Sequence, residues 1–205
     1  MLAPDGTDAA IGTQGALVLT QPFPTLARTV WDDHPRYLST YFRTHPGMYT
    51  TSDEAVVDRD GELWVLGRGD DVINVAAPRL STMEIESVVA AQPGIADAAV
   101  IGAKDALKGT VPVAYVTLRA GTSTEEALPG VFAAVDHAIG AIARLDRIYV
   151  CAALPKTRAG KTVRRLLREI AETGEARSDM TGLEDTAVVT TLIGEVAASR
   201  FGIRM

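Results

Sequence analysis

The residues best suited to chemistry lie in one stretch, Leu154-Pro155-Lys156-Thr157-Arg158-Ala159-Gly160-Lys161-Thr162, a polar basic loop between an apolar strand and an amphipathic helix. Gly160-Lys161-Thr162 matches the end of a phosphate-binding P-loop, but Pro155 falls on the first glycine of that pattern. Proline offers a phosphate no N–H and cannot take positive φ, so the pattern breaks there. A second reading makes Lys161, kept mobile by Gly160, a cation delivered to a reacting anion. Lysine suits that task as a point charge, and stabilising charge that develops on phosphorus is a large catalytic effect in a water-poor site. The third reading treats Lys156, Arg158, Lys161, Arg164, Arg165 and Arg168 as a solvated helix start, and spacing alone favours it.

Other polar groups carry less information. Gly67-Arg68-Gly69-Asp70-Asp71 sets an arginine and two acids beside a strand, where they either bind ribose hydroxyls or terminate the strand. Asp53, after Thr51-Ser52, suits a ribose diol or a turn. His34, His45 and His137 have no metal-ligand spacing and are assigned nothing. Cys151 falls in an apolar strand, where cysteine acts as a small apolar residue. Trp31, Tyr37, Tyr41 and Phe42 read as packing under the first strand, since no basic stripe flanks them for base stacking.

These groups need elements to hold them. Gly15–Thr20 reads as a buried strand, and 31–48 as irregular or as a short helix ending before Pro46. Glu54–Asp58 and Leu63–Leu66 form a predicted hairpin around Arg59-Asp60-Gly61-Glu62, with a junction at 67–71. A strand at Val72–Val75 precedes Ser81-Thr82-Met83-Glu84, a capping-box sequence ahead of a helix with Ile85, Val88 and Val89 on one face. Strands follow at Ala98–Ile101 and Val111–Leu118, a helix at about Val131–Ile139, a strand at Arg147–Cys151 and a helix at Thr162–Glu172. Strand and helix alternate around a small sheet, and the fold class is α+β. After Thr173 the composition turns to that of a linker, followed by a final helix over Thr186–Ser199.

The chain has 205 residues, 47% apolar and 22% charged, enough for one domain or two small ones with a real core. A net charge of −6 argues against nucleic acid or an anionic membrane as main partner. One cysteine excludes an intrachain disulfide, and no run of about eighteen apolar residues reads as a membrane span. Asp5 and Asp8 lie where a signal peptide would be basic, so the expected address is cytoplasmic.

Taken in order, Tyr49-Thr50-Thr51-Ser52-Asp53, Asp58-Arg59-Asp60-Gly61-Glu62, Gly67 to Val75, Arg79-Leu80-Ser81-Thr82-Met83-Glu84-Ile85-Glu86 and Pro155 to Lys161 resemble the adenylate-forming, AMP-binding acyl-CoA synthetases. Arg-Leu-Ser-Thr before Glu-Ile-Glu, and Leu-Pro-Lys-Thr-Arg before Ala-Gly-Lys, resemble its acetate and propionate branch. The resemblance runs from about Gly15 to about Leu192. It implies a β-rich tail of a large N-terminal domain over 1–69, a mobile C-terminal domain over 70–176, and a linker with terminal helix over 177–205. It implies ATP and CoA as substrates, Mg2+ with the ATP, and no tightly bound cofactor. By resemblance Asp53 and Arg68 hold the AMP ribose, Arg79 approaches the ATP phosphates, Asp70 is the hinge, and Lys161 is the adenylation lysine. A lysine of this kind is a target for acetyltransferases and deacylases, since acetylation deletes its charge.

Departures from the family pattern qualify these roles. Ser52 stands where the family usually has glycine. Val75-Ala76-Ala77-Pro78 replaces a usual Ser-Gly-His run before Arg79, so the Ala77 methyl narrows the approach of CoA. Asp136 takes a place where acetate enzymes often carry an arginine for the CoA nucleotide. The family's pyrophosphate loop, adenine segment and acyl pocket have no counterparts in the sequence. The expectation is a catalytic-lysine portion, inactive alone, that works with a chain supplying the N-terminal adenylation domain. The alternative is a non-catalytic remnant or interaction module. A truncation, a split-enzyme part and a fragment all fit, and self-association through uncovered strand edges is expected.

Overall fold

The computed structural model describes residues 1–69, 72–74, 79–105 and 109–199, with the backbone alone at 72–74, 79 and 80. They fall into two compact units, Met1–Asp71 and Val72–Met205.

In the first unit, β1 (Gly15–Leu19) and β3 (Leu63–Arg68) flank β2 (Tyr49–Val57) in an antiparallel sheet. The segment left open between irregular and helical contains α1 (His34–Tyr41), whose first turn is closed by Asp33 accepting from Arg36 N at 2.9 Å. Tyr37 is buried and donates its hydroxyl to Ala27 O. Tyr41 stacks on Tyr49 with centroids 4.8 Å apart, and Phe42 meets Tyr49 edge-on. The expected aromatic cluster therefore forms without Trp31, which is 94% exposed, and with Tyr49 in its place. This unit's core is thin: Leu2, Val18, Tyr37 and Ala55 are its buried apolar residues, while Leu63, Trp64 and Val65 stand exposed along β3.

The predicted hairpin between β2 and β3 forms, and Gly61 supplies the positive φ its turn requires, at +85°. Asp58 organises the turn. Its Oδ1 accepts from Asp60 N and Glu62 N, both at 2.9 Å, and its Oδ2 accepts from Trp64 Nε1 at 2.7 Å.

In the second unit, β4 (Val72–Asn74) and β5 (Arg79–Ser81) make a small antiparallel ribbon. The central sheet runs β6 (Ile95–Asp105), β7 (Gly109–Leu118), β8 (Arg147–Val150), antiparallel between β6 and β7 and parallel between β7 and β8. Its strands are near-continuous apolar runs because both faces are covered. Ala98, Val100, Ala114, Val116 and Ile148 meet α2 (Thr82–Ala90) and α3 (Thr124–Ala138) on one face. Ala99, Ile101, Val113, Tyr115 and Tyr149 meet α4 (Arg164–Thr173) and α5 (Ala187–Ala198) on the other.

Three expectations need correction. Ser81 is the N-cap of α2, but its side chain makes no cap hydrogen bond; the capping box forms at α3, between Ser123 and Glu126. Helix α3 begins seven residues before the predicted Val131, because that box and the buried Ala127 and Leu128 hold its first turn despite Pro129. The stretch read as a linker packs instead: Leu183 is buried in the core under α4, with Ala176 and Met180 packed against it, and Thr157 bridges Leu183, while the expected final helix forms as α5. Among the described residues, no helix is long and apolar enough to cross a membrane.

The free edge of β6 is closed by side chains. Val100 N donates to Glu86 Oε2 at 2.9 Å, Arg168 Nε donates to Gly102 O at 3.1 Å, and Lys104 N donates to Glu172 Oε1 at 3.0 Å. Glu86 also receives Arg164 Nη2 on both oxygens, at 2.6 and 2.8 Å. Glu86→Ala strands a largely buried guanidinium and an edge N–H together, and is expected to cost about 3 kcal/mol by chemical denaturation.

Asp58 gives a second test. Trp64's indole N–H, then the backbone N–H of Glu62, hold its carboxyl below the usual aspartate range. A depressed carboxyl contributes stability that is present above its unfolded pKa and lost as pH falls through the folded value. Asp58→Asn is expected to loosen the hairpin at pH 7, with the gap from wild type closing below about pH 4, as read from tryptophan fluorescence during thermal unfolding.

Candidate functional site

Two groups of candidate residues lie one in each unit. In the first unit, Asp53 and Arg68 are directly opposed partners across β2 and β3. Both line a cleft of about 380 Å³ with Ala16, Thr44, His45, Thr50, Ser52, Glu54 and Gly69. A regular strand alternates its side chains between two faces and does not present three in succession to one cleft. Here Ser52, Asp53 and Glu54 all line it, because Ser52 adopts φ +66° and the pairing register shifts between Glu54 and Ala55. Left-handed backbone at a residue with a Cβ costs about 1 kcal/mol, and here it falls in the cleft wall. The residue that departs from the family's glycine thus keeps a conformation glycine adopts freely.

Hydrogen bonds fix this turn on both sides. Gly69 N donates to Ser52 O at 2.8 Å, Thr51 Oγ1 to Leu17 O at 2.8 Å, and Asp53 N to Thr51 Oγ1 at 3.1 Å. Gln14 Nε2 holds Glu54 Oε2 at 2.8 Å. Thr50 Oγ1, buried in the same wall, has no hydrogen-bond partner among the described residues. Thr44, His45 and Glu54 were not identified from the sequence. Period-two alternation in β2 groups Thr50, Ser52 and Glu54 and was the available signal; His45, reached through the α1–β2 loop, left none.

In the second unit, the basic loop forms a tight, hydrogen-bonded turn. Lys156 bridges Thr162, Thr157 N donates to Lys161 O at 2.8 Å, and Gly160 N donates to Thr157 O at 2.8 Å. Gly160, at φ +79°, closes the turn, so its contribution is a left-handed backbone and not looseness. Lys161 N is held by Thr157 Oγ1 at 3.2 Å.

The six basic residues separate by what they touch. Lys156 pairs with Asp97 at 2.5 Å, and Arg164 with Glu86. Arg165 Nη2 donates to Asp179 O at 2.8 Å, and Arg168 to Gly102 O. Those four hold the fold together, so the picture of a uniformly solvated helix start is wrong for them. Arg158 and Lys161 are exposed at the turn, and among the described residues no carboxylate pairs with the Lys161 ammonium.

The remaining candidates divide by position. Arg79 is paired with Asn74 in the β4–β5 ribbon, with only its backbone described. Asp70 and Ala77 lie outside the described residues. Asp136 takes a bidentate grip from Arg144, Nη2 to Oδ2 at 2.6 Å and Nε to Oδ2 at 3.0 Å, and the hydrogen bond from Arg144 depresses its carboxyl pKa. Cys151 is buried, its thiol donating to Val116 O at 3.5 Å, and burial with nearby Glu195 and Asp97 pushes the thiol up to about 12. It stays protonated at neutral pH and is no nucleophile.

Comparison with known proteins fits this geometry. The family model of the AMP-binding enzyme C-terminal domain matches residues 84–161. The acetyl-coenzyme A synthetase of Gemmatimonas aurantiaca is 48% identical over 184 residues, covering 87% of this chain and 28% of that protein. That of Pyrobaculum arsenaticum is 45% identical over 186 residues, covering 90% and 28%. Among solved structures, acetoacetyl-CoA synthetase from Streptomyces lividans shares the fold with a TM-score of 0.81 at 20% identity, over 96% of this chain and 30% of its own. ATP-bound MatB from Rhodopseudomonas palustris follows at 0.70 and 25% identity, over 84% of this chain and 33% of its own. The chain spans less than a third of the length of the curated relatives it matches. The chain thus carries an AMP-binding enzyme C-terminal domain at residues 84–161, and along most of its length it is similar to part of the acetyl-coenzyme A synthetases.

Proposed function

We propose that this chain supplies the ribose-binding cleft and the adenylation lysine of an ATP-dependent short-chain acyl-CoA synthetase, which makes acyl-CoA, AMP and pyrophosphate from acetate or propionate, ATP and CoA. The observation that carries the reading is the sorting of the basic loop. Lys156, Arg164, Arg165 and Arg168 are committed to structural contacts, while Lys161, like Arg158, is exposed on a turn whose backbone is fixed. A fixed backbone with an unpaired ammonium suits delivery of positive charge to an acyl carboxylate and an α-phosphate as charge shifts between them. In the first unit, Asp53 would accept hydrogen bonds from the ribose hydroxyls, and Arg68 would flank the same sugar.

Metal, in this reading, arrives with the nucleotide. Mg2+ would be carried on the ATP phosphates, as the family resemblance implies. The adenine and acyl contacts would come from residues equivalent to the relatives' remaining length. Exposed Leu63, Trp64 and Val65 on β3 suit packing against such a partner. Alone, the chain would bind nucleotide weakly and form no acyl-CoA.

A non-catalytic role is the second reading, favoured by one observation. Arg144 neutralises Asp136 and is itself engaged there, so that this guanidinium is already paired with a carboxylate and not free for the phosphates of CoA. Acyl-CoA formation separates the two. The chain is mixed with the remaining N-terminal residues of the Gemmatimonas aurantiaca acetyl-coenzyme A synthetase, and acetyl- and propionyl-CoA are assayed. Activity is expected in the mixture only, falling at least about 100-fold with Lys161→Ala. Silence in every mixture, with both parts folded, would sink the catalytic reading. Gly160→Ala is expected to lower stability by about 1 kcal/mol, since the cost is one of backbone conformation, and to reduce the mixture's turnover without abolishing it.

A further inference from the structure

We infer that Ser52 is itself a ligand-contacting residue of the first unit's cleft, its hydroxyl forming a second contact, beside Asp53, to the vicinal diol of a ribonucleotide. The inference rests on the proposed ribose-binding role of the cleft and assigns a residue that role does not include. Ser52 holds φ +66°, where a side chain is disfavoured and glycine is at ease, and it lines the cleft together with Thr50, Asp53 and Arg68. Hydrogen bonds at Ser52 O, at Thr51 Oγ1 and at Asp53 N fix the turn whatever the side chain at 52. The hydroxyl is therefore not what shapes the backbone, and the strained side chain gains nothing for the fold that glycine would lose. A buried threonine hydroxyl without a partner in the same wall, Thr50 Oγ1, makes this wall richer in hydroxyl groups than the fold itself uses. A hydroxyl both donates and accepts, whereas the adjacent Asp53 carboxylate only accepts. Together they match a cis-diol, whose two hydroxyls each donate and accept.

The experiment uses the full chain and two probes, AMP and 2′,3′-dideoxy-AMP, with affinities taken from amide chemical shifts and stabilities from thermal unfolding. Wild type is expected to prefer AMP. Ser52→Ala, which keeps the strained backbone, is expected to weaken AMP about fivefold with little change in Tm, and Ser52→Gly to weaken it equally while raising Tm. The dideoxy probe is expected to bind all three proteins alike. AMP bound as tightly by Ser52→Ala as by wild type overturns the assignment. If Asp53→Ala in that case still loses the preference for AMP, the ribose-binding role stands and only Ser52 is excluded. No preference for AMP in wild type overturns both.

Discussion

The carboxylate of Glu86 sits where three elements meet, and the placement of the basic loop depends on it. It rises from α2 on one face of the central sheet, accepts the Val100 N–H on the free edge of β6, and receives Arg164, the first residue of α4 on the opposite face. The helices that cover the two faces are therefore tied around the edge of the sheet by one side chain. Lys161 lies three residues before Arg164, at the end of a turn that feeds directly into α4. Fixing the start of α4 against β6 fixes the direction in which that turn leaves the sheet. Charge-assisted pairs in a partly dry setting add modest net stability because desolvation offsets much of the attraction, but their geometry is exacting. Position, more than stability, is what this pair contributes.

The same edge shows how polar side chains solve a problem that the sequence poses. An open strand edge invites pairing with another chain. On β6, carboxylates and a guanidinium satisfy backbone groups at Val100, Gly102 and Lys104 in turn. Arg168, counted at first among a solvated basic run, is one of these edge-closing groups. A list of charges along a chain cannot distinguish a cation aimed at solvent from one aimed at a carbonyl 66 residues away. That separation needed the fold, and it leaves Arg158 and Lys161 as the exposed cations of the turn.

The central sheet and its helices were legible in the sequence because apolar runs and helical spacing report burial directly. The hairpin was legible because Asp60-Gly61 demands a particular backbone. Element ends were less so. The start of α3 was hidden by Pro129-Gly130, and the turn at 155–163 resembled a flexible loop because its order comes from backbone hydrogen bonds that sequence does not display. The segment between Thr173 and α5 misled by composition: buried Leu183, with Ala176 and Met180 packed against the same core, is enough to fasten a stretch otherwise rich in Gly, Ser and Asp. Within the cleft, Asp53 and Arg68 were found through family likeness, whereas Glu54 and His45 came only with the fold.

The two units differ in how completely they solve their own burial. In the second, both faces of the sheet are covered and the free edge of β6 carries side-chain partners. In the first, a thin core supports three strands, and β3 is exposed through Leu63, Trp64 and Val65 in succession, on both of its faces. Alternation normally hides one of those faces, so three exposed apolar residues in a row leave both faces of the strand open to solvent. Asp58, gripping Trp64 and the turn, keeps that strand in register without a covering layer. The hairpin is thus ordered by local polar contacts while its apolar surface stays exposed.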